Sequence, residues 1–184
     1  MKRRGKPLPR ADEAGFRVRA TRLGSRKPDV RFEPTPHHIV RAMLELAQVG
    51  SHDLVYDLGS GDGRVVIAAA RDFVASAVGV ENDPERVDEA ERRAREAGVE
   101  RKVRFLRADL YQADVRAASV VTLFLLEEAN LILRPRLRRE LAPGTRVVSY
   151  IHDMGDWKPA QARYTVDRLG WYHRLYLWNI PPQA

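Results

Sequence analysis

The run Val55-Tyr56-Asp57-Leu58-Gly59-Ser60-Gly61-Asp62-Gly63-Arg64 decides the fold of this 184-residue chain. Leu54 to Leu58 is a short apolar segment that ends in Gly59, Gly61 and Gly63, and Arg64 to Arg71 resumes as an alanine-rich helix. Strand, tight turn and helix in that order open a crossover unit of the nucleotide-binding kind. Upstream, Pro34-Thr35-Pro36 reads as a helix start, with Thr35 as cap and Pro36 in the first helical position. Ile39, Val40, Met43, Leu44 and Leu46-Ala47 form the apolar stripe of that helix, which spans about residues 36–48. Downstream, Ala75 to Glu81 is a second buried strand, and Pro84 opens a charged helix that runs to Ala97 and closes at Gly98.

Val103 to Leu106 alternates as a third strand, and Ser119 to Leu125 is a β-branched run suited to a central parallel strand. A helix from Glu127 to Leu141, broken or kinked at Pro135, leads to a fifth strand, Arg146 to Tyr150. Ala162 to Arg168 and Tyr172 to Ile180 flank Leu169-Gly170-Trp171 as a hairpin. Repeated strand-helix alternation predicts an α/β fold: a Rossmann-like, doubly wound sheet, mostly parallel, with a C-terminal antiparallel hairpin. That ending separates a class I methyltransferase-type sheet from an ordinary dinucleotide-binding one.

The glycine run departs from the G-x-G-x-x-G dinucleotide pattern, because Arg64 stands where the third glycine would fall. Asp57 and Asp62 flank the turn, and carboxylates there disfavour a pyrophosphate. They suit S-adenosylmethionine, whose sulfonium and ammonium are cationic. Glu81, at the end of the second strand, is placed to accept both ribose hydroxyls. Asp109, at the end of the third, is placed to accept the adenine amino group. An NAD(P)-binding module is the competing reading of the loop.

The formal net charge is +7, unevenly distributed. Residues 1–31 hold eleven Lys or Arg against Asp12, Glu13 and Asp29, a net of +8, which leaves 21 basic and 22 acidic residues elsewhere. A basic, flexible tail over residues 1–28 is expected ahead of a near-neutral domain over residues 29–184. Such a tail either recruits RNA, a ribosome or an acidic partner through a salt-sensitive field, or is a solvated leader. The chain has no cysteine, which excludes disulfides, thiolate metal sites and cysteine nucleophiles. No apolar run approaches the roughly 18 residues of a membrane span, and the N-terminal charges are not followed by the apolar stretch of a secretion signal, so a soluble cytoplasmic protein is expected; a monomer is expected as well. His37 and His38 are adjacent and face different sides of a helix, so no metal site is read from them.

Phe32-Glu33-Pro34-Thr35-Pro36, the glycine run, Val78-Gly79-Val80-Glu81, Val120 to Leu126 and Pro143 to Ser149 resemble the archaeal broad-specificity protein-lysine methyltransferases and their mitochondrial relatives. The resemblance covers roughly residues 30–180. It implies methylation of protein lysine side chains by a small, uncapped domain. Phe32 and Thr35 would then close over the cofactor. Asp57, Gly59, Ser60, Gly61 and Gly63 would hold its methionine end. Glu81 and Asn82 would bind ribose, Asp109 and Leu110 adenine, and Thr122 and Phe124 would line the methyl-transfer channel. The archaeal members carry His-Glu where this chain has Tyr150-Ile151, so the substrate side differs. Trp157 is a channel wall or ordinary packing.

No catalytic base is identified. Tyr150, His152 and Asp153 follow the fifth strand and are candidates, and a surface loop accounts for them equally well. The segment after the fourth strand lacks an Asn/Asp-Pro-Pro-Tyr run, and only Lys102 and Lys158 lie in the domain. Base-amino methylation and lysine-dependent ribose methylation are thereby disfavoured, while an open site suits a protein lysine first and RNA second.

Overall fold

The computed structural model describes residues 33–167 and 170–182; the basic tail and Phe32 lie outside them. Five strands come first in chain order: β1 (Leu54–Leu58), β2 (Ser76–Glu81), β3 (Val103–Arg107), β4 (Val120–Leu123) and β5 (Arg146–Tyr150). They are mutually parallel, and β6 (Gln161–Val166) and β7 (Tyr172–Asn179) close the sheet in the order β3-β2-β1-β4-β5-β7-β6. β7 enters antiparallel beside β5, and β6 forms the edge. Composition explains which hairpin strand goes inside: β7 buries His173, Leu175, Leu177 and Trp178, while every residue of β6 is at least partly exposed.

Strand alternation divides the core in two. Val55, Ala77, Val120 and Val148 face α1 (His37–Leu46), α2 (Arg64–Asp72) and α3 (Pro84–Glu96). Tyr56, Val78, Val121 and Val147 face the side covered by Leu133 and Leu137 of α4 (Glu127–Glu140). The expected alternation fails once, since β3 reaches β4 through turns. Ala108, Ala113, Val115 and Ala118 of that connection are buried against the second face in place of a helix.

Three local expectations are corrected. Pro36, not Thr35, occupies the cap position of α1, with no side-chain capping bond, and its carbonyl accepts from the N–H groups of Ile39 and Val40. The fourth strand stops at Leu123, because β1 ends at the glycine turn and leaves residues 124–126 without a partner on that side. Finally, α4 runs through exposed Pro135 without a break, held by Leu133 and Leu137 buried on either side of it. Among the described residues no helix is long and apolar enough to cross a membrane.

An interior proline forgoes one backbone hydrogen bond, so Pro135→Ala should stabilise the fold by roughly 1 to 3 kcal/mol. Urea unfolding would read this as a higher midpoint at unchanged slope; a lower midpoint would mean that the ring contributes packing or pre-organisation absent from this account.

Candidate active site

At the carboxyl ends of the strands, where the order turns from β1 to β4, lies a cavity of about 430 Å³. Its size and position are those of a small-molecule site in an open α/β sheet. Of the residues singled out from sequence, Thr35, Asp57, Gly59, Ser60, Asp62, Glu81, Asn82, Asp109, Leu110 and Phe124 line it.

The turn after β1 is held against β2. The N–H groups of Gly59 and Ser60 donate to the Val80 carbonyl at 2.8 and 3.0 Å. Gly79 permits this approach: a Cβ there would lie 2.6 Å from both Ser60 Oγ and the Phe105 ring. Gly63 does not touch the cavity. It caps α2 at φ 77°, and a Cβ would lie 2.7 Å from Phe105 and 2.8 Å from Ala90. Gly61 acts through its N–H, which donates to Glu81 Oε2 at 2.9 Å.

The acids differ in what holds them. Asp57 is buried, and Thr122 Oγ1 donates to its Oδ1 at 2.7 Å. Burial, opposed by the Thr122 bond and reinforced by Glu81 and Asp62, pushes the Asp57 carboxyl up to about 7. Thr122 is itself fully buried and does not line the cavity, so its place is behind Asp57 and not in a channel.

Asp62 departs from its expected part. Burial works to raise it, but hydrogen bonds and charge from Arg64, together with the Arg93 charge, hold it below the usual carboxylate range. Its charge is spent inside the protein, and Arg64 Nη1 also donates to the Thr35 carbonyl at 2.7 Å, latching the N-terminal segment onto the loop. Of the cavity's guanidinium groups, Arg64 is thus committed and Arg86 pairs with Glu89. This arrangement disfavours a pyrophosphate.

Glu81 ties the glycine turn to the start of α3. Besides Gly61, it accepts from the N–H groups of Asn82 and Asp83 at 2.8 and 3.0 Å. A carboxylate has about four acceptor directions, so one remains, and taking both ribose hydroxyls would require releasing a backbone donor. Asp109 stands two residues beyond β3 and closes a turn, accepting from Tyr111 N and Gln112 Nε2. Ser60 Oγ lines the cavity as a buried hydroxyl with no hydrogen-bond partner. Together with the acids, that orphan suits a polar, cationic ligand, and Val80, Ala108, Leu110 and Leu125 supply an apolar wall for a base.

Tyr150, His152 and Trp157 do not line the cavity. The Tyr150 ring lies 4.6 Å from that of Phe124, directly behind it, and its hydroxyl is 2.7 Å from His173 Nδ1. Burial, then the charges of Glu33 and Asp167, push its phenol above the ordinary value, which removes it as a base near neutrality. The His152 carbonyl accepts from Ser149 and Asn130. Trp157 packs beside Trp178 on the second face and accepts its indole N–H at 2.6 Å. Sequence reading missed Glu33, Met43, Tyr111 and Leu125 in the lining. It also missed the strained Ile151, whose φ of 69° turns the chain just after β5.

A parallel sheet with a seventh strand inserted antiparallel beside the fifth, and this cavity at its switch point, define a class I methyltransferase dependent on S-adenosylmethionine. The chain belongs to the family described as the ANTKMT methyltransferase domain, whose model matches residues 57–161. It is 44% identical over 154 residues to a protein-lysine N-methyltransferase of Saccharolobus islandicus, covering 83% of this chain and 95% of that one. An RNA methyltransferase of Salinibacter ruber, solved with S-adenosyl-L-homocysteine, is 49% identical with a TM-score of 0.77, covering 83% and 96%. The adenine nucleotide translocase lysine N-methyltransferase of Mus musculus is 38% identical over 103 residues, and the match spans 56% of this chain and 45% of that protein.

The raised Asp57 pKa has a sign that stability measurements can read. Between about pH 4 and 7 the folded protein keeps a proton that the unfolded chain has lost, so this group's contribution to stability falls as pH rises through that window. Asp57→Asn removes the effect. Its thermal midpoint relative to wild type should be more favourable at pH 8 than at pH 5, and a difference independent of pH would contradict the assignment.

Proposed function

We propose that the chain N-methylates lysine side chains of proteins. The observation that carries this reading is the 44% identity to the Saccharolobus islandicus protein-lysine enzyme across 95% of its length. The chemistry of the cavity supports it. When bound, S-adenosylmethionine supplies a methyl group on an electrophilic sulfonium. Asp57, ionised beside that cation, and the unpartnered Ser60 hydroxyl would hold the methionine end near Gly59. Glu81 and Asn82 would bind the ribose, and Asp109, Leu110 and Val80 the adenine. Thr35, latched through Arg64, would cover the cofactor from the N-terminal side.

The reacting nitrogen approaches past Phe124, which Tyr150 backs. A lysine with an ordinary pKa near 10.4 enters as the ammonium and must lose its proton before its nitrogen attacks the methyl carbon. The apolar ring favours the neutral amine by desolvation, and the proton leaves to water at the open mouth. Glu33 lines that mouth and is exposed, so it is placed to draw in the ammonium form. No side chain of the described residues is assigned as a base. An open cavity accepts a protruding residue directly.

RNA as acceptor is the second reading. The Salinibacter ruber relative is described as an RNA methyltransferase, and residues 1–31 carry a net +8. Methyl-labelled cofactor incubated with cell extract separates the two. Label should be lost on protease treatment, survive nuclease, and map to lysine by mass spectrometry. Label that survives protease and is lost to nuclease would overturn the proposal. In the same system, Glu81→Ala should weaken cofactor binding by roughly 1.5 to 3 kcal/mol, the scale of hydrogen bonds to a charged group; unchanged calorimetric affinity would remove Glu81 from the site.

A further inference from the structure

Outside the cofactor cavity, three metal-ligating side chains converge from separate parts of the chain. His38 comes from the first turn of α1, Asp167 follows β6, and His173 lies near the start of β7. One ligand atom of each lies within 4.8 Å of the others. We propose that they form a binding site for a divalent transition-metal ion, with Zn²⁺ as the expected occupant. Two imidazoles and one carboxylate are a donor set suited to zinc, with water completing the coordination.

The geometry of His173 is that of a prepared ligand. Its Nδ1 is 2.7 Å from the Tyr150 hydroxyl, the kind of outer partner that fixes the ring of a metal-bound histidine and leaves Nε2 for the metal. That Nε2 stands 3.3 Å from Asp167 Oδ2. A charge-assisted hydrogen bond would be about 2.7 to 2.9 Å. Two ligands on one tetrahedral zinc, with bonds of about 2.0 to 2.1 Å, would stand about 3.4 Å apart. Asp167 is fixed in turn, because its Oδ1 accepts from Trp171 N at 2.9 Å.

The third ligand is within reach. The His38 ring stands edge-on to His173 with centroids 5.4 Å apart, and His38 is exposed, so rotating its side chain meets no packed core. A second observation points to the same place. Thr165 is directly opposite His173 in the β6–β7 ladder, and its Oγ1 is buried without a hydrogen-bond partner. A water bound to the metal would give that hydroxyl a partner. The ion would join α1 to the C-terminal hairpin.

The test uses full-length, untagged protein stripped with chelator and titrated with Zn²⁺ alone. One ion per chain should bind with micromolar or tighter affinity and raise the thermal midpoint by mass action. Co²⁺ in its place should give the visible absorption of a low-symmetry site. His38→Ala is the decisive variant, because His38 is exposed and the fold does not depend on it; it should lose at least tenfold in zinc affinity. Asp167→Asn should behave likewise, and the neighbouring His37→Ala should bind as wild type does. Absence of stoichiometric binding, or equal affinity for wild type and His38→Ala, would overturn the proposal.

Discussion

A carboxyl group buried at the end of β1 is the constraint to which the surrounding architecture answers. Asp57 lies between two strands, in a place where an isolated charge is costly, and its neighbours are arranged to make that place tolerable. Thr122 donates to it from β4. Asp62, a second carboxylate in the same turn, is neutralised by Arg64 and Arg93 and so does not add its full charge. Without those guanidinium groups, three carboxylates would repel one another around a single cavity. Arg64 does more, since its bond to the Thr35 carbonyl carries the entry segment over the loop. The electrostatics of Asp57, the path of the glycine turn and the covering of the cavity are therefore one linked arrangement.

That arrangement suits a cationic ligand better than an anionic one. A buried acid pushed up to about 7 is poised to ionise when a positive charge arrives, and it has little to offer a pyrophosphate. The loop glycines contribute space and direction. Gly79, on the neighbouring strand, matters as much as those inside the turn, because it admits Ser60 to the Val80 edge.

The mostly parallel sheet and its closing hairpin were legible because buried parallel strands write continuous apolar runs and the Val55 to Arg64 segment has few alternatives; the spatial order of the strands was not read from the sequence. Which hairpin strand lies at the edge was not read from the sequence, although the apolar content of β7 against β6 accounts for it. What the sequence obscured was competition between local signals and tertiary partners. Thr35 looks like a cap, yet its carbonyl is engaged by Arg64 and Pro36 takes the cap position. Pro135 looks like a break, yet two buried leucines hold the helix across it. Phe124 reads as strand, yet β1 ends before it can pair.

For the site, residue type at a strand end was informative, and this placed Asp57, Glu81 and Asp109 around the cavity. Side-chain partners were not legible, so Thr122 was read as a wall when it supports Asp57, and Trp157 packs under the hairpin. Contacts between distant parts of the chain, such as Tyr150 with His173, carry no signal in local spacing. If a cationic cofactor ionises Asp57, its binding releases a proton, and the number of protons released reads this directly. Calorimetric titration with S-adenosylmethionine near pH 6, in buffers of different ionisation enthalpy, should give close to one proton released per cofactor bound by wild type and close to none by Asp57→Asn. Binding by wild type without proton release would mean that Asp57 does not ionise against the cofactor.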